Sequence, residues 1–211
     1  MTSTVLTNHE TPRRPGRPRS ETTRRNILEA TIHLLERQSV QSLTIEAIAR
    51  RAGVGKATIY RWWDSKALVV IDAFIEHHII RTPMPRDLPP ADALAIHFTA
   101  LVHEYAGWSG RIVAQIIAEG QSDPAVLREF RERFHYGRRA VVREVLEQWR
   151  GEGSIPAPTD IEVLGDLIYA PVYMRLLLGH SPLDDTFVRS HLAYVYWLLG
   201  APIPTAQDGP S

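Results

Sequence analysis

The chain has 211 residues, of which 44% are apolar and 23% charged, and it contains no cysteine. A chain of this length can bury a core in one or two domains, and the lack of cysteine excludes disulfides, iron–sulfur clusters, thiolate zinc sites and a cysteine nucleophile. The charge is unevenly distributed, because residues 1–68 hold 12 Lys or Arg against 6 Asp or Glu, a net of +6, within a neutral whole. This separation favours a basic module for a polyanion, joined to an acidic module.

Two patterns bear on location and on domain boundaries. The first ten residues lack the basic-then-apolar pattern of a secretory signal, and the longest uncharged stretch, 190–207, is interrupted by glycine and prolines. We therefore predict a cytoplasmic protein with no membrane span and no membrane partner. Four prolines crowd residues 83–90, whereas residues 21–80 contain none. Because proline interrupts helices, this pattern predicts an interdomain linker after an uninterrupted helical segment.

Apolar residues recur at helical spacing along most of the chain, as at Ile27, Leu34 and Leu35, and no alternating pattern with hairpin turns is present. The sequence therefore predicts an all-α fold of about nine helices. The helices are predicted near residues 21–37, 44–51, 55–61, 65–80, 91–106, 109–119, 124–150, 160–178 and 184–199. The chain divides into a flexible basic arm (1–19), a three-helix head (20–66) and a helical-bundle domain (67–211).

The segment TIEAIARRAGVGKATIYRWW, residues 44–63, has the spacing of a helix-turn-helix. Ala49 allows two short helices to approach, Gly53 tolerates the positive φ of the turn, and Ile59 anchors the second helix. The outward residues of the second helix are Lys56, Ala57, Thr58, Tyr60 and Arg61. Cations, a hydroxyl and a small methyl group suit the major groove of DNA. The alternative is a structural helical hairpin with an ordinary solvated face.

Residues 20–75 as a whole, and TIEAIARRAGVGKATIYRWWDSKALV above all, closely resemble the DNA-binding segment of the tetracycline-repressor (TetR/AcrR) family. The resemblance implies a three-helix head, a fourth helix connecting it to a ligand and dimerisation domain, and symmetric dimers on operator DNA. By position it implies backbone contacts from Thr44, Tyr60 and Lys66 and base contacts from Lys56, Ala57, Thr58 and Arg61. Gly55 departs from the pattern, since many members have a serine or threonine cap there.

The head of the chain, PRRPGRPRS, interleaves arginines with prolines and a glycine. Such a segment stays extended, and its arginines can enter a narrow A·T-rich minor groove. The candidate minor-groove residues are Arg13, Arg14, Arg17 and Arg19. The alternative is a disordered tail that only aids solubility.

The family resemblance also implies a ligand pocket in the second domain, which has a large inventory of aromatic and histidine residues. The candidate pocket residues are Phe98, His103, Tyr105, Trp108, Phe130 and Phe134. An ordinary aromatic core is the alternative for any one of them. The histidines lack the i, i+4 spacing of metal ligands on one helix face, and no catalytic or nucleotide-binding motif is present, so we expect no metal, no cofactor and no enzymatic activity.

The last two helices are apolar on nearly every side, with Arg175 the one charge in LIYAPVYMRLLLG. A helix of this kind must be covered on both faces, which favours a four-helix interface between two copies of the chain. The candidate interface residues are Tyr173, Leu176, Val195 and Leu199.

Together these features predict a homodimeric regulator, most simply a repressor, that binds a palindromic operator and is released by a small hydrophobic or aromatic effector. The helix near 65–80 would transmit the response, with Ile71, Phe74, Ile75 and Ile79 toward a core. An architectural DNA-binding protein with no effector response is the alternative, and an enzyme with an accessory DNA head is a more remote one.

Overall fold

The computed structural model describes residues 20–156 and 158–201. Within these residues the regular structure is helical throughout, with no strand, which confirms the all-α prediction. The helices are α1 (Glu21–Leu35), α2 (Ile45–Ala52), α3 (Lys56–Tyr60), α4 (Lys66–Arg81), α5 (Pro90–Ala106), α6 (Trp108–Ser122), α7 (Pro124–Phe130), α8 (Tyr136–Gly151), α9 (Ile161–Leu178) and α10 (Asp185–Leu199). A π-helical turn, Arg131–His135, joins α7 to α8, so the three segments form the one long helix predicted at 124–150.

Six of the helices, α1, α2, α4, α7, α9 and α10, begin next to a side-chain acceptor. Thr44 accepts a hydrogen bond from the Ala47 amide at the start of α2, and Ser65 does the same for the Leu68 amide at the start of α4. Such caps satisfy amide groups that a helix leaves unpaired at its N-terminus. Helix α3 begins at Gly55 without a side-chain cap, as the departure from the family pattern predicted.

The head is formed by α1, α2 and α3, and α4 packs against α1. Gly53 ends α2 with a φ of 66°, a left-handed conformation that glycine adopts without the steric cost of a side chain. This turn lets the buried side chains of Ile45, Ile48 and Ile59 meet Ile27 of α1 in one core. The spacing that predicted a helix-turn-helix therefore produces its hydrophobic core as well.

Helix α4 connects the head to the bundle. Ile71 and Phe74 are fully buried and Ile75 is partly buried, as predicted. Ile79, in contrast, is 50% exposed, and His78 takes the inward position at this end of the helix. The prediction for Ile79 was wrong because it assigned the inward position to an apolar residue. The helical periodicity of Ile71, Phe74 and Ile75 instead places His78 on the inward face.

In the bundle, α5 packs against α6, α8 and α10, while α9 packs against α8 and α6. The approach of α5 to α6 is close: a Cβ atom at Gly110 would lie 2.0 Å from the Tyr105 carbonyl oxygen, so only glycine fits. Tyr196 of α10 donates a hydrogen bond from its hydroxyl to the Ala91 carbonyl, 2.9 Å away. Over the described ranges, none of the helices is long and apolar enough to cross a membrane.

Candidate functional site

Helix α3 exposes the side chains that were predicted to read DNA bases. Lys56, Ala57 and Arg61 are exposed and Thr58 is half-buried, whereas Ile59 is fully buried and holds the helix on the head. Tyr60, predicted to contact the DNA backbone, is also exposed. Because α3 buries one face against the head, its other face stays exposed. The cations and the phenol ring on that exposed face suit the major groove of DNA.

Lys56 is already in an ion pair, which the sequence did not predict. Its Nζ atom donates a hydrogen bond to Glu46 Oε1 of α2 over 2.8 Å. This bond lowers the pKa of the Glu46 carboxyl and raises that of the Lys56 ammonium. Because both side chains lie at the surface, the pair can open in water, and Lys56 can exchange the carboxylate for a DNA base or phosphate.

Two further residues predicted to contact the DNA backbone lie near the head's surface. Thr44 is exposed and uses its hydroxyl oxygen to cap α2. Lys66 is half-buried, and its Nζ atom donates to the Val40 carbonyl over 2.7 Å, so part of its donor capacity supports the α1–α2 loop. The four arginines of the predicted arm lie outside the described residues.

Asp72 of α4 joins the head to the bundle. Its carboxylate accepts a hydrogen bond from Trp63 Nε1 over 2.8 Å, just after α3, and another from Arg133 Nη1 over 3.1 Å, in the π-helical turn. Arg24 of α1 lies 3.7 Å from the same carboxylate. The partly buried carboxylate of Asp72 therefore links the end of α3, the predicted recognition helix, to the bundle.

The bundle contains a cavity of about 180 Å³ between α4, α5, α8 and α9 and the π-helical turn. Two of the six predicted pocket residues, Tyr105 and Phe134, line it. The wall also includes His78, His97, Leu101, His135, Arg138, Arg139, Val142, Tyr169 and Tyr173. Most of this wall is apolar or aromatic, as in small-molecule sites, and a few polar groups converge on it.

The other four predicted pocket residues do not line this cavity. Phe98 and Phe130 are buried one layer behind it, where Phe130 packs against Phe134 with ring centroids 5.2 Å apart. His103 lies on the outer face of α5 and bonds Asp185, and Trp108 packs against His77. The prediction ranked residues by aromatic character, but the direction of each side chain from its helix determines which ones reach the cavity.

Arg138 is the polar residue of the cavity that the sequence analysis missed. It is half-buried, and its Nη2 group donates to the Thr82 carbonyl over 2.6 Å and lies 3.4 Å from His97 Nε2. A signal was available, because Arg138 follows Phe134 by one helical turn on an otherwise apolar stripe. A cation at such a position is typical of a functional site rather than a core.

Two of the three histidines of the cavity, His97 and His78, are neutral near pH 7. Burial, together with the Arg138 cation, lowers the pKa of His97 to about 4, and its Nδ1 atom lies 3.1 Å from the Pro83 carbonyl. Burial lowers the pKa of His78 to about 3, and neither of its ring nitrogens has a hydrogen-bond partner among the described residues. These two imidazoles therefore add no charge to the cavity.

The exposed apolar surface of α9 and α10 differs from the predicted one. Val195 and Leu199 are only 6% and 5% exposed, Leu176 packs toward Gly110 of α6, and Tyr173 faces the cavity. The exposed row consists of Val163, Leu167, Met174, Leu177 and Leu178 on α9 and Tyr194, Trp197 and Leu198 on α10. The predicted helical phase was wrong because helices that are apolar on all sides carry no phase signal.

No group of three or more histidine, aspartate or glutamate residues that could hold a metal ion occurs within residues 20–156 and 158–201. The chemistry available in the bundle is therefore that of the cavity: apolar contact, aromatic stacking and hydrogen bonding from Arg138 and the tyrosines.

A helix-turn-helix head joined to a cavity-bearing helical bundle defines a class of one-component transcriptional regulators. Family models agree with this architecture: the model described as bacterial regulatory proteins, tetR family, matches residues 27–72, and the model described as tetracyclin repressor-like, C-terminal domain, matches residues 89–195. The chain belongs to the TetR family of DNA-binding transcriptional regulators.

Relatives support the same assignment over most of the chain. The uncharacterized HTH-type transcriptional regulator YdeS of Bacillus subtilis is 37% identical over 82% of this chain and 88% of its own length. The crystal structure of the TetR family transcription regulator SCO0332 is 32% identical, with a TM-score of 0.74 over 86% of this chain and 99% of that one. FadR from Bacillus subtilis, solved in complex with stearoyl-CoA, shares the fold at 17% identity, with a TM-score of 0.66 over 81% and 96% of the two chains. All three are described as transcriptional regulators.

Proposed function

We propose that the protein is a ligand-responsive repressor that acts in the cytoplasm, binding a palindromic operator as a homodimer and leaving it when a small organic effector fills the bundle cavity. The observation that carries the proposal is the cavity itself, because its wall includes His78 of α4, the helix that also contacts the head. FadR, a protein of the same fold, is known in complex with an acyl-CoA, which supports a ligand in this type of bundle.

Dimerisation would use the exposed apolar row of α9 and α10. The row runs along one face of α9 through Leu167, Met174 and Leu178, at spacings of seven and four residues, and continues on α10 at Trp197. A contiguous apolar surface of this size favours association, and a two-fold axis buries the same surface on both copies. The dimer would present two α3 helices to successive major-groove half-sites, about 34–36 Å apart.

The effector response would pass through the contacts of Asp72. Phe134 and His135 of the π-helical turn line the cavity, and Arg133 of the same turn binds Asp72. A ligand that displaces this turn changes the support of Asp72, which also holds Trp63 at the end of the recognition helix. To release DNA, the effector must favour one arrangement of the head over the other, since equal affinity for both would shift nothing.

The test is operator binding by the full chain. DNA from the intergenic region upstream of the protein's own coding sequence is titrated in gel shifts and footprinted. We expect a protected two-fold symmetric site and a loss of affinity of at least tenfold when either half-site is scrambled. The matched control is a scrambled sequence outside the footprint, which should leave affinity unchanged.

The architectural alternative predicts different data. It requires broad binding to A·T-rich DNA, no sharp footprint and equal affinity for intact and scrambled half-sites. Those results would overturn the proposal of an operator-specific repressor.

A further inference from the structure

Of the charged side chains that line the cavity, Arg138 is the one without a carboxylate partner among the described residues. Its neighbour Arg139 is paired at the rim with Asp166 and, over 2.6 Å, with Glu162. The Arg138 guanidinium instead bonds the neutral Thr82 carbonyl and neutral His97. Arg138, Arg139 and Asp166 are the charged residues of the cavity wall, so the wall itself has one cation in excess.

The position of this cation is costly. Arginine stays protonated in proteins, and removing its charge from water without an anion is unfavourable. Burial accordingly lowers the pKa of Arg138 from its usual value. All of its bonds to described residues use Nη2, which leaves Nε and Nη1 to donate toward the cavity. Each of these two groups can donate a charge-assisted hydrogen bond to a carboxylate oxygen.

Other groups in the cavity lack partners as well. The Tyr169 hydroxyl is buried without a hydrogen bond to any described residue, and so are both ring nitrogens of His78. Buried polar groups are normally hydrogen-bonded, so unsatisfied groups around one cavity indicate a polar occupant. The aromatic rings of Phe134 and Tyr105 complete an apolar wall beside them.

We infer that the effector is a small organic acid, an aromatic or short branched carboxylate whose acid group binds Arg138 and the Tyr169 hydroxyl. The inference rests on the proposed function, since it specifies the ligand of the same cavity. The volume of about 180 Å³ sets the size of the acid. An apolar cavity of about 150 Å³ holds a benzene ring, so one ring with an acid group fits this space.

The experiment compares acids with their uncharged carboxamides on the full-length protein. The probes are 3-phenylpropionate, 4-hydroxyphenylacetate, benzoate and 3-methylbutanoate, each beside its primary amide, with binding measured by calorimetry and by thermal shift. At least one acid should bind the native protein about tenfold or more tightly than its amide, because only the acid neutralises Arg138.

The variants assign the effect to Arg138. Arg138→Met should weaken the acid about tenfold or more and leave the amide unchanged, while Arg138→Lys should restore part of the preference. Arg143→Met is the matched control, because Arg143 lies on the same helix but outside the cavity wall. Tyr169→Phe removes only the hydroxyl and should weaken binding of the acid several-fold. This variant provides the test if Arg138→Met does not fold.

The inference is overturned if no acid binds, if acids and amides bind equally, or if the Arg138 and Tyr169 variants retain the acid preference. Operator binding by the ligand-free protein is measured in parallel. If the ligand-free protein does not bind the operator, the proposed function is contradicted. If it binds the operator but no acid, only the assignment of the effector class is contradicted.

Discussion

Glu46 of α2 places a negative charge beside α3, the predicted recognition helix. The charge lies next to Lys56, which was predicted to contact DNA bases. The Glu46 carboxylate holds Lys56 in an exposed ion pair, which would have to open for Lys56 to make its predicted contact with the operator. The same carboxylate repels the phosphate backbone. The pair therefore favours the free protein and lowers the affinity for every DNA sequence.

Glu46→Gln should thus raise the affinity for operator and for random DNA several-fold, whereas Lys56→Ala should lower operator affinity about tenfold or more and leave random DNA less affected. Fluorescence anisotropy on both DNAs, at two salt concentrations, measures the change. The matched control is Glu29→Gln, which opens an exposed pair with Arg25 on α1. Unchanged affinity in Glu46→Gln would show that the carboxylate does not act on DNA.

The buried histidines make stability depend on pH. The pKa of His78 is about 3 and that of His97 about 4 in the folded protein, below the usual value near 6.5. Below pH 6.5 the unfolded chain takes up protons at these positions while the folded chain does not, so the free energy of unfolding falls as the pH falls.

Between pH 7.5 and pH 5 each of these histidines should cost about 2 kcal/mol of stability, and almost none of this loss should occur above pH 7. His78→Phe should remove one histidine's share of the loss. Urea unfolding at a fixed protein concentration, at pH 7.5 and pH 5, measures it, and His180→Gln, at an exposed position, is the control. An identical pH dependence in His78→Phe and the native protein would contradict the assignment.

Among the elements, α9 and α10 carry the surface on which DNA binding is expected to depend. Trp197 is 77% exposed at the centre of the α10 part of the apolar row. Arginine at this position would bring two like charges together across the two-fold axis with little water to screen them.

Trp197→Arg should therefore yield a folded monomer whose operator affinity is lower by about 10²-fold or more, since the second half-site no longer benefits from linkage to the first. Sedimentation velocity and gel shifts on the same samples test both effects. Ile80→Arg is the control, because Ile80 is 81% exposed on α4, outside the row. A monomer that keeps full operator affinity would refute the dimer model.

The elements also show where sequence reasoning succeeds. The head could be predicted almost residue by residue, since Ala49, Gly53 and Ile59 each satisfy a local requirement of the turn or its core. The bundle could be predicted only as a set of helices. Which residues reach the cavity depends on helix rotation, and in α9 and α10 apolar residues on all sides conceal that rotation. The cavity and its cation follow from packing between helices distant in sequence.

At the scale of the whole molecule, the arm predicted at residues 1–19 would extend the DNA contact beyond the major groove. Its deletion should leave folding and dimerisation intact and weaken operator binding, most strongly where the flanks are A·T-rich, because arginine insertion is favoured in a narrow minor groove. Replacing its four arginines with glutamine keeps the length of the arm. This variant therefore separates the effect of the arm's charge on DNA affinity from the effect of its length. An unchanged dissociation constant in both variants would leave the arm without a role in binding.

The π-helical turn has a consequence for how the bundle can vary in chain length. A π turn closes over five residues instead of four, so Arg131–His135 accommodates about one residue more than a regular helix would. Removing Glu132, which is exposed, would allow α7 and α8 to join as one regular helix with both flanks still packed. The change would fall on the turn itself, where Arg133 binds Asp72 and where Phe134 and His135 line the cavity. A single-residue deletion at this turn could thus alter what the cavity admits while the fold around it is retained.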